Sequence, residues 1–180
     1  MEKLLYTKVR DVKSPTRANL GDAGIDFYVP RLTWDDLVSI HVNKVQSNLG
    51  SIIYDNVEDS VVIEHGGRIL IPSGIRVLIE PRESMLMAAN KSGISTKSGL
   101  LYTAEIIDSP YTGEMHIGVY NSGIEPVRIK LNTGAKLMQF VHVPIIPSIP
   151  LEITSSQYAE LEGDWGSTRG ANGFGSSDKK

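Results

Sequence analysis

The sequence has no cysteine among its 180 residues, which excludes disulfide bonds, thiolate nucleophiles and thiolate metal sites. It has no apolar run of about 18 residues, so we expect no transmembrane helix and no membrane partner. The N-terminal residues lack the apolar stretch and the small-residue cleavage site of a signal peptide. Together these absences predict a cytoplasmic protein.

An excess of positive charge is also missing, because 18 Lys and Arg residues face 21 Asp and Glu residues for a net charge of −3. A broad basic surface is therefore not expected, and we predict no nucleic-acid partner. A small anionic ligand needs only a few local cations and stays compatible with this balance. The length and the 41% hydrophobic content are typical of one soluble globular domain.

Short strand-like runs separated by Gly, Pro and Asn make up most of the sequence. Their spacing of about ten residues is typical of a β-sandwich, a jelly roll or a barrel, so the expected fold class is all-β. The predicted strands cover residues 4–9, 61–63, 68–71, 75–79, 115–120, 127–131 and 137–146.

Residues 31–59, here called the insertion, interrupt the strand pattern. Thr33 and Asp36 have the spacing of a helix capping box, which predicts a short helix followed by a polar loop. We expect an apolar stripe on this helix to pack against the β domain. Because extra surface elements often serve partners, a protein partner for the insertion is one hypothesis. The stripe consists of Trp34, Leu37, Val38 and His41.

Two short motifs combine a charged residue with a glycine. Lys91-Ser92-Gly93 offers a cation, a hydroxyl and a residue that lets the backbone approach, which are what a phosphate needs. A helix starting there would add free N–H groups and its dipole. Ala23-Gly-Ile-Asp26 places an acid where a turn enters a strand. Taken alone, the first motif could also be an ordinary polar loop, and the second could be an ordinary surface turn.

Two further motifs place polar residues at the rim of a predicted core. Asp108 follows two isoleucines and precedes a turn that contains proline, a placement that suits a general base but also an ordinary turn cap. Gln139 lies between Met138 and Phe140 in the motif that starts at Gly134. It is therefore expected to be partly buried and to need a hydrogen-bond partner, which could be main chain.

The last motif, Arg169-Gly-Ala-Asn-Gly-Phe174-Gly-Ser176-Ser177, gives the strongest signal. Glycine is frequent from about residue 163 onwards and no apolar period is present, so a mobile segment is predicted. A linker would not need an Arg, a Phe and two hydroxyls at these positions. They provide an anion clamp, a stacking ring and donors to phosphate.

In this order, the five motifs resemble those of the trimeric dUTPase family. The resemblance covers everything except the insertion, with Lys91 where the family usually has Arg and Asp178 in place of a final glycine. It implies a jelly-roll domain (a distorted β-barrel) at residues 1–165 that forms a homotrimer with shared active sites. It also implies a flexible arm, residues 166–180, that closes over the active site.

The resemblance further implies that the protein hydrolyses dUTP to dUMP and pyrophosphate. Asp108 is the expected base that activates water, and Mg²⁺ is expected to be held mainly by the triphosphate, with Asp26 in its outer shell. Tyr111 is expected to pack on the deoxyribose, and residues 100–107 are expected to form a hairpin whose main chain contacts the uracil edge. The implied substrate-binding residues are Lys91, Ser92, Gly93, Tyr111, Gln139, Arg169, Phe174, Gly175, Ser176 and Ser177.

Two alternatives stay open. A dCTP deaminase shares this fold and resembles the stretch from Thr103 to Gly123, but deaminases carry their catalytic Glu where this chain has Gly118. Deaminases also lack the glycine-rich final motif. A regulatory protein that binds dUTP as a switch ligand would suit the insertion, yet it would have little need of Asp108.

Deletion of residues 166–180 tests the role of the arm. Ordering a free glycine-rich segment costs about 1–2 kcal/mol per residue, so only a ligand that makes several strong contacts can close it. We expect the truncated protein to keep its melting temperature and to lose dUTP hydrolysis by orders of magnitude. Thermal unfolding and steady-state kinetics measure the two quantities. Hydrolysis at the full rate would contradict the assignment of the last motif.

Overall fold

The computed structural model describes residues 3–45 and 51–166. The helices within these ranges are α1 (Trp34–Ile40), α2 (Ser92–Ser98) and α3 (Ser155–Trp165), and a π-helical segment, His41–Val45, follows α1. The strands are β1 (Leu4–Lys8), β2 (Gly24–Asp26), β3 (Ile52–Asp55), β4 (Ser60–Ile63), β5 (Arg68–Ile79), β6 (Ser84–Asn90), β7 (Leu100–Tyr102), β8 (Ile106–Asp108), β9 (Glu114–Asn121), β10 (Val127–Lys130) and β11 (Met138–Pro144).

The chain separates into two compact units, Met1–Ile146 and Pro147–Lys180. The strands belong to the first unit, where they form three antiparallel sheets with the orders β1-β5-β9-β7, β10-β4-β3 and β2-β11-β6-β8. The prediction of an all-β fold with a short helix in the insertion is confirmed. Over the described ranges the sheets do not close into a barrel. No helix in those ranges is long and apolar enough to cross a membrane.

One cluster of buried apolar side chains joins the three sheets of the first unit. It includes Ile117 from the first sheet, Val61 from the second and Phe140 from the third. The ring of Phe140 meets that of Phe27 edge-on, with centroids 4.8 Å apart. Because side chains alternate between the two faces of a strand, each sheet places one apolar face on this common core.

Strand β5 runs without a break through Pro72–Gly74, where the sequence predicted the end of one strand and the start of another. Its register with β9 shifts between Pro72 and Arg76, and Gly74 has a left-handed φ of 71°. A β-bulge of this kind absorbs extra residues while the strand continues. The turn-like sequence therefore bends the strand and does not end it.

The first half of the insertion packs on the core as predicted. Helix α1 starts at the expected capping box, in which the side chains of Thr33 and Asp36 each accept the other residue's backbone N–H. Leu37 is fully buried. His41 is buried too, and its Nε2 accepts the N–H of Leu70 on β5 at 3.0 Å. The apolar stripe thus anchors the helix to the first sheet.

The second half of the insertion differs from the predicted polar loop, because residues 52–55 form β3. This strand pairs with β4, and Tyr54 stacks on Trp34 with ring centroids 5.2 Å apart. A short Ile-Ile-Tyr run gives little evidence of a strand by itself. Pairing with β4 and stacking on α1 supply the stabilisation that the local sequence does not reveal.

Strand β6 and helix α3 were not predicted from the sequence. The prediction of a hairpin over residues 100–107 is wrong. The two strands there join different sheets, since β7 pairs with β9 and β8 pairs with β6. Strand β6 is rich in Met and Ala, which are not typical strand residues. Helix α3 starts at a capping box formed by Thr154 and Gln157, the same kind of signal that identified α1.

The burial of Leu37 predicts a large cost for its truncation. Leu37→Ala should lower the free energy of unfolding by about 2–5 kcal/mol, because the lost atoms leave a cavity in the core. Urea denaturation measures the change. Leu20→Ala is the matched control, since Leu20 is 90% exposed. If the two variants lose equal stability, Leu37 does not anchor the insertion.

Candidate functional site

Asp26 lies at the centre of a charged cluster on the third sheet. It is the last residue of β2 and is only 5% exposed. Its Oδ1 accepts a hydrogen bond from Lys91 Nζ at 2.5 Å, and its Oδ2 accepts one from Lys136 Nζ at 2.9 Å. These three residues, here called the Asp26 cluster, carry two positive charges and one negative charge. The fold therefore brings the first, second and fourth motifs together.

The carboxylate of the Asp26 cluster is ionised at neutral pH. Burial by itself would raise the pKa of Asp26, but the hydrogen bonds and charges of Lys91 and Lys136 lower it below its usual value. The carboxylate in turn raises the pKa of Lys136. An oxyanion held by two ammonium groups has the surroundings that a phosphate oxygen also requires. With two ammonium groups and one carboxylate, the cluster has one positive charge in excess and is thus suited to attract a phosphate.

Gln139 lies directly beside the cluster, opposite Asp26 in the pairing of β11 with β2. It is half-buried as predicted, and its Nε2 donates to the carbonyl of Asn90 at 3.0 Å. Its partner is thus main chain, one of the two outcomes that the sequence left open. A Cβ at Gly24 would collide with the Gln139 side-chain amide. The glycine of the first motif therefore makes room for the glutamine of the fourth.

Lys91, Ser92 and Gly93 form the start of α2, so the helix considered at this motif is present. Lys91 is its N-cap in extended conformation, and Ser92 and Gly93 are exposed. A Cβ at Gly93 would meet no described protein atom within 4 Å. The backbone here is open to a ligand, which is the property expected of a phosphate-binding glycine.

Asp108 lies on another part of the third sheet, and Tyr111 lies in the turn that follows it. Asp108 is the exposed last residue of β8 and pairs with Met85 near the start of β6. Its carbonyl accepts the N–H of Tyr111 at 3.0 Å, and the Tyr111 hydroxyl donates to the carbonyl of Glu114 at 2.8 Å. Residues 108–113, here called the Asp108 turn, thus present a carboxylate to solvent on a fixed backbone.

Within one chain, the Asp108 turn is far from the Asp26 cluster. Asp26 and Asp108 lie on the two outer strands of the sheet, and their register positions on β6, Ala89 and Met85, are four residues apart. Neighbouring strands are about 4.8 Å apart and each residue rises about 3.3 Å, so the backbone positions of the two residues are separated by about 20 Å. A single chain does not bring the candidate base to the candidate phosphate site.

Sequence reasoning missed Lys136 and Asn90. Lys136 stands in the fourth motif between Gly134 and Gln139, and a cation three residues before the glutamine was the signal that could have found it. Asn90 accepts from Gln139 through its carbonyl, and its Oδ1 accepts the N–H of Tyr102 at 3.1 Å. Main-chain contacts of this kind depend on strand pairing and leave little trace in residue type.

The five predicted site residues of the last motif lie outside the described residues. They are Arg169, Phe174, Gly175, Ser176 and Ser177. Their proposed contacts with substrate therefore stay predictions.

The fit of Mg²⁺ depends on the carboxylate of Asp26. Across residues 3–45 and 51–166, no three His, Asp or Glu side chains gather as ligands of a metal ion. Asp26 is ionised, but Lys91 and Lys136 hold both of its oxygens. It thus fits contact with a hydrated ion through water better than direct ligation, because Mg²⁺ retains several of its waters in most protein sites.

Gly118 lies on β9 opposite the chain segment that follows β7. The N–H of Thr103 donates to the Gly118 carbonyl at 3.0 Å. A Cβ at position 118 would collide with the Thr103 hydroxyl. The Thr103 side chain thus occupies the space next to the position at which a deaminase carries its catalytic glutamate, and this chain has no carboxylate there.

Comparison with known proteins places these motifs in one family. The dUTPase family model matches residues 39–177. The chain is 27% identical over 143 residues to the deoxyuridine 5'-triphosphate nucleotidohydrolase of Neisseria meningitidis, over 78% of this chain and 87% of the relative.

Solved structures of phage enzymes are similar in fold. The dUTPase of Staphylococcus bacteriophage 80alpha with dUpNHpp has a TM-score of 0.65 and 20% identity, covering 98% of both chains. A mutant dUTPase from phage phi11 of S. aureus, described with a structural Mg(II) ion, has a TM-score of 0.60 and 20% identity, covering 84% of this chain and 96% of the other. The likeness confirms the predicted jelly-roll type of fold.

The pKa of Asp26 predicts how stability depends on pH. A carboxyl whose pKa is lowered by folding stabilises the protein above its unfolded pKa of about 3.9 and loses this effect as pH falls through the lower folded value. Asp26→Asn should therefore reduce stability between pH 5 and 7, and the difference from the wild-type protein should shrink below about pH 4. Urea denaturation at each pH measures this. Asp11→Asn is the control, because the Asp11 side chain is 82% exposed; a pH-independent difference for Asp26→Asn would contradict the prediction.

Proposed function

The chain belongs to the dUTPase family, and from this we propose that the hydrolase cleaves dUTP to dUMP and pyrophosphate by attack of water on the α-phosphorus. The observation that carries the proposal is the buried Asp26 carboxylate held by two lysine ammonium groups beside Gln139. The curated relative from Neisseria meningitidis bears the name of this activity. The absence of cysteine supports action in the cytoplasm.

The triphosphate binds at the Asp26 cluster in this proposal. Lys91 and Lys136 contact the phosphates while they also hold the Asp26 carboxylate, and Ser92, Gly93 and Gln139 add neutral donors. Charge-assisted hydrogen bonds of this kind stabilise the negative charge that moves onto the leaving pyrophosphate. Lys91 contributes a point charge where the family usually has the fork of an Arg. Lys136, on the same carboxylate, supplies a second point charge that compensates for this difference.

Mg²⁺ is the proposed cofactor. The triphosphate would hold most of its coordination sphere, and Asp26 would contact its waters from the outer shell. When bound, the ion supplies charge neutralisation and orientation of the phosphate oxygens. The phi11 dUTPase described with a structural Mg(II) ion supports the use of this metal in the family.

Asp108 is the proposed general base. Its exposed carboxylate can accept a proton from water while that water attacks phosphorus, and the proton then leaves to solvent. The bond from the N–H of Tyr111 to the carbonyl of Asp108 holds the backbone that carries this carboxylate. Fixed placement of the base is what a positioned water requires.

The active site is shared between subunits of a homotrimer in this proposal. Asp108 and Asp26 are about 20 Å apart within one chain, so the base must come from another copy of the chain. A cyclic trimer gives three equivalent sites, each taking its Asp26 cluster from one subunit and its Asp108 turn from another. The arm, residues 166–180, then closes the site with Arg169, Phe174, Gly175, Ser176 and Ser177.

Selection of the nucleotide uses two different parts of the site. Tyr111 packs on the deoxyribose and excludes the 2′-hydroxyl of ribonucleotides. The main chain after β7 contacts the uracil edge, where cytosine would face donor against donor. Deamination of dCTP is disfavoured because Thr103 fills the space at Gly118. We also propose that the insertion offers a surface for a protein partner.

The direct test is pyrophosphate release from dUTP with and without Mg²⁺. We expect release that depends on the metal and that is far slower with UTP, dCTP and dTTP. Binding of dUTP without hydrolysis would instead favour the regulatory alternative.

The shared site predicts complementation between two inactive variants. Asp108→Asn should lower kcat by about 100-fold or more, because it removes the proton acceptor. Lys91→Ala should also impair hydrolysis. When equal amounts of the two variants are refolded together, every mixed trimer contains one site with both native residues. Such sites make up about a quarter of all sites in the mixture.

Kinetics of the mixture against each variant alone measure this recovery. Asp11→Asn is the matched carboxylate control and should keep full activity. No recovery in a mixture shown to contain mixed trimers would place both residues in one subunit. Near-normal turnover by Asp108→Asn would remove it from the role of base.

A further inference from the structure

Glu114, the first residue of β9, directly follows the Asp108 turn and is tied to three other parts of the chain. Its side chain is 17% exposed, and its carboxylate accepts hydrogen bonds from Arg10 Nε at 2.8 Å and from the N–H of Gly74 at 2.8 Å. Its carbonyl accepts the Tyr111 hydroxyl at 2.8 Å. One residue therefore fixes the backbone at which the turn ends and also holds the tyrosine ring.

The ring of Tyr111 is folded back over the turn by this bond. A Cβ at Gly113 would lie 2.5 Å from the Tyr111 hydroxyl, so the ring occupies the space that the glycine leaves. Arg76 Nε donates to the carbonyl of Thr112 at 2.7 Å and holds the other side of the turn. The position of the ring thus depends on the backbone between Thr112 and Glu114, and little on contacts of the ring with a core, since Tyr111 is 40% exposed.

Arg10 extends these contacts to the insertion. Its guanidinium binds Glu114 through Nε and lies 3.3 Å from Asp36 Oδ1 through Nη1. Asp36 is the capping-box acid of α1, and its other oxygen accepts from Thr33. Side chains of Arg10 and Asp36 are 27% and 36% exposed, so partial shielding from water strengthens their charge interactions. The insertion helix is therefore two side-chain contacts away from Glu114.

We propose that Glu114 is a positioning residue that sets the placement of the Tyr111 ring, and that Asp36 of the insertion supports it through Arg10. The proposal rests on the proposed function, in which Tyr111 excludes the 2′-hydroxyl of ribonucleotides. Glu114 contacts no substrate. Its effect is to keep the ring close enough to the sugar to discriminate, and the insertion thereby contributes to selection of deoxyribonucleotides from a distance.

The test compares sugar discrimination with base discrimination in the same preparations. For each variant, the ratio of kcat/KM for UTP to that for dUTP reports on the sugar, and the ratio for dCTP to dUTP reports on the base. Both ratios cancel the fraction of folded enzyme, so partial unfolding of a variant does not hide the result. Tyr111→Ala serves as the reference for a lost ring.

Glu114→Ala should raise the UTP/dUTP ratio by about 10-fold, because charge-assisted hydrogen bonds that fix the turn are lost. The dCTP/dUTP ratio should change by less than about 2-fold. Glu114→Gln, which keeps the size and one acceptor, should recover most of the discrimination. Asp36→Asn, which preserves an acceptor for the helix cap, should raise the UTP/dUTP ratio by about 2- to 3-fold. Asp35→Asn on the exposed neighbouring residue is the matched control and should leave both ratios unchanged.

Each other outcome has a distinct meaning. If Tyr111→Ala raises the UTP/dUTP ratio but Glu114→Ala does not, the inference fails and the proposed function stands. Equal changes in both ratios for Glu114→Ala would show a general structural role and would also overturn the inference. If Tyr111→Ala leaves sugar discrimination intact, the role of the ring and the inference fail together. Failure of the wild-type protein to hydrolyse dUTP would overturn the proposed function itself.

Discussion

A carboxylate buried inside a β-sheet domain must be neutralised, and at Asp26 this requirement determines how the motifs meet. Lys91 stands before α2 and Lys136 in the segment before β11, yet their ammonium groups bind the two oxygens of one carboxylate. Without them the charge would be too costly to bury. Because two cations surround one anion, the same three residues that allow Asp26 to be buried also form a site that attracts anions.

The location of the candidate base follows from strand order. Strands β11 and β6 lie between β2 and β8, so Asp108 is held at the opposite edge of the sheet from Asp26. No adjustment of side chains can cover the resulting distance within one chain. Assembly of several chains is therefore part of the proposed chemistry, and the Asp108 turn must be stiff enough to serve a neighbour. The contacts of Glu114 with Arg10 and Gly74 provide that stiffness.

Local signals in the sequence were sufficient for some features and silent on others. The capping box at Thr33 predicted α1, because such a pattern depends on neighbours along the chain. The order of the motifs made Asp26, Asp108 and Gln139 candidate site residues. Strand β6 and Lys136 were missed. The first is a strand only through its pairing with β11 and β8, and the second belongs to the site only because β11 lies beside β2. Contacts between distant segments have no local signature.

Three glycines each leave their volume to one particular side chain, so the residue at each of these positions limits what its partner position can hold. Gly24 leaves its volume to the Gln139 side chain, Gly113 to Tyr111 and Gly118 to Thr103. A chain that gained a side chain at one of these glycines would need a compensating change at its partner in the same lineage. Related sequences should therefore vary at each pair jointly. Contact of this kind couples the first motif to the fourth, although more than 100 residues separate Gly24 from Gln139.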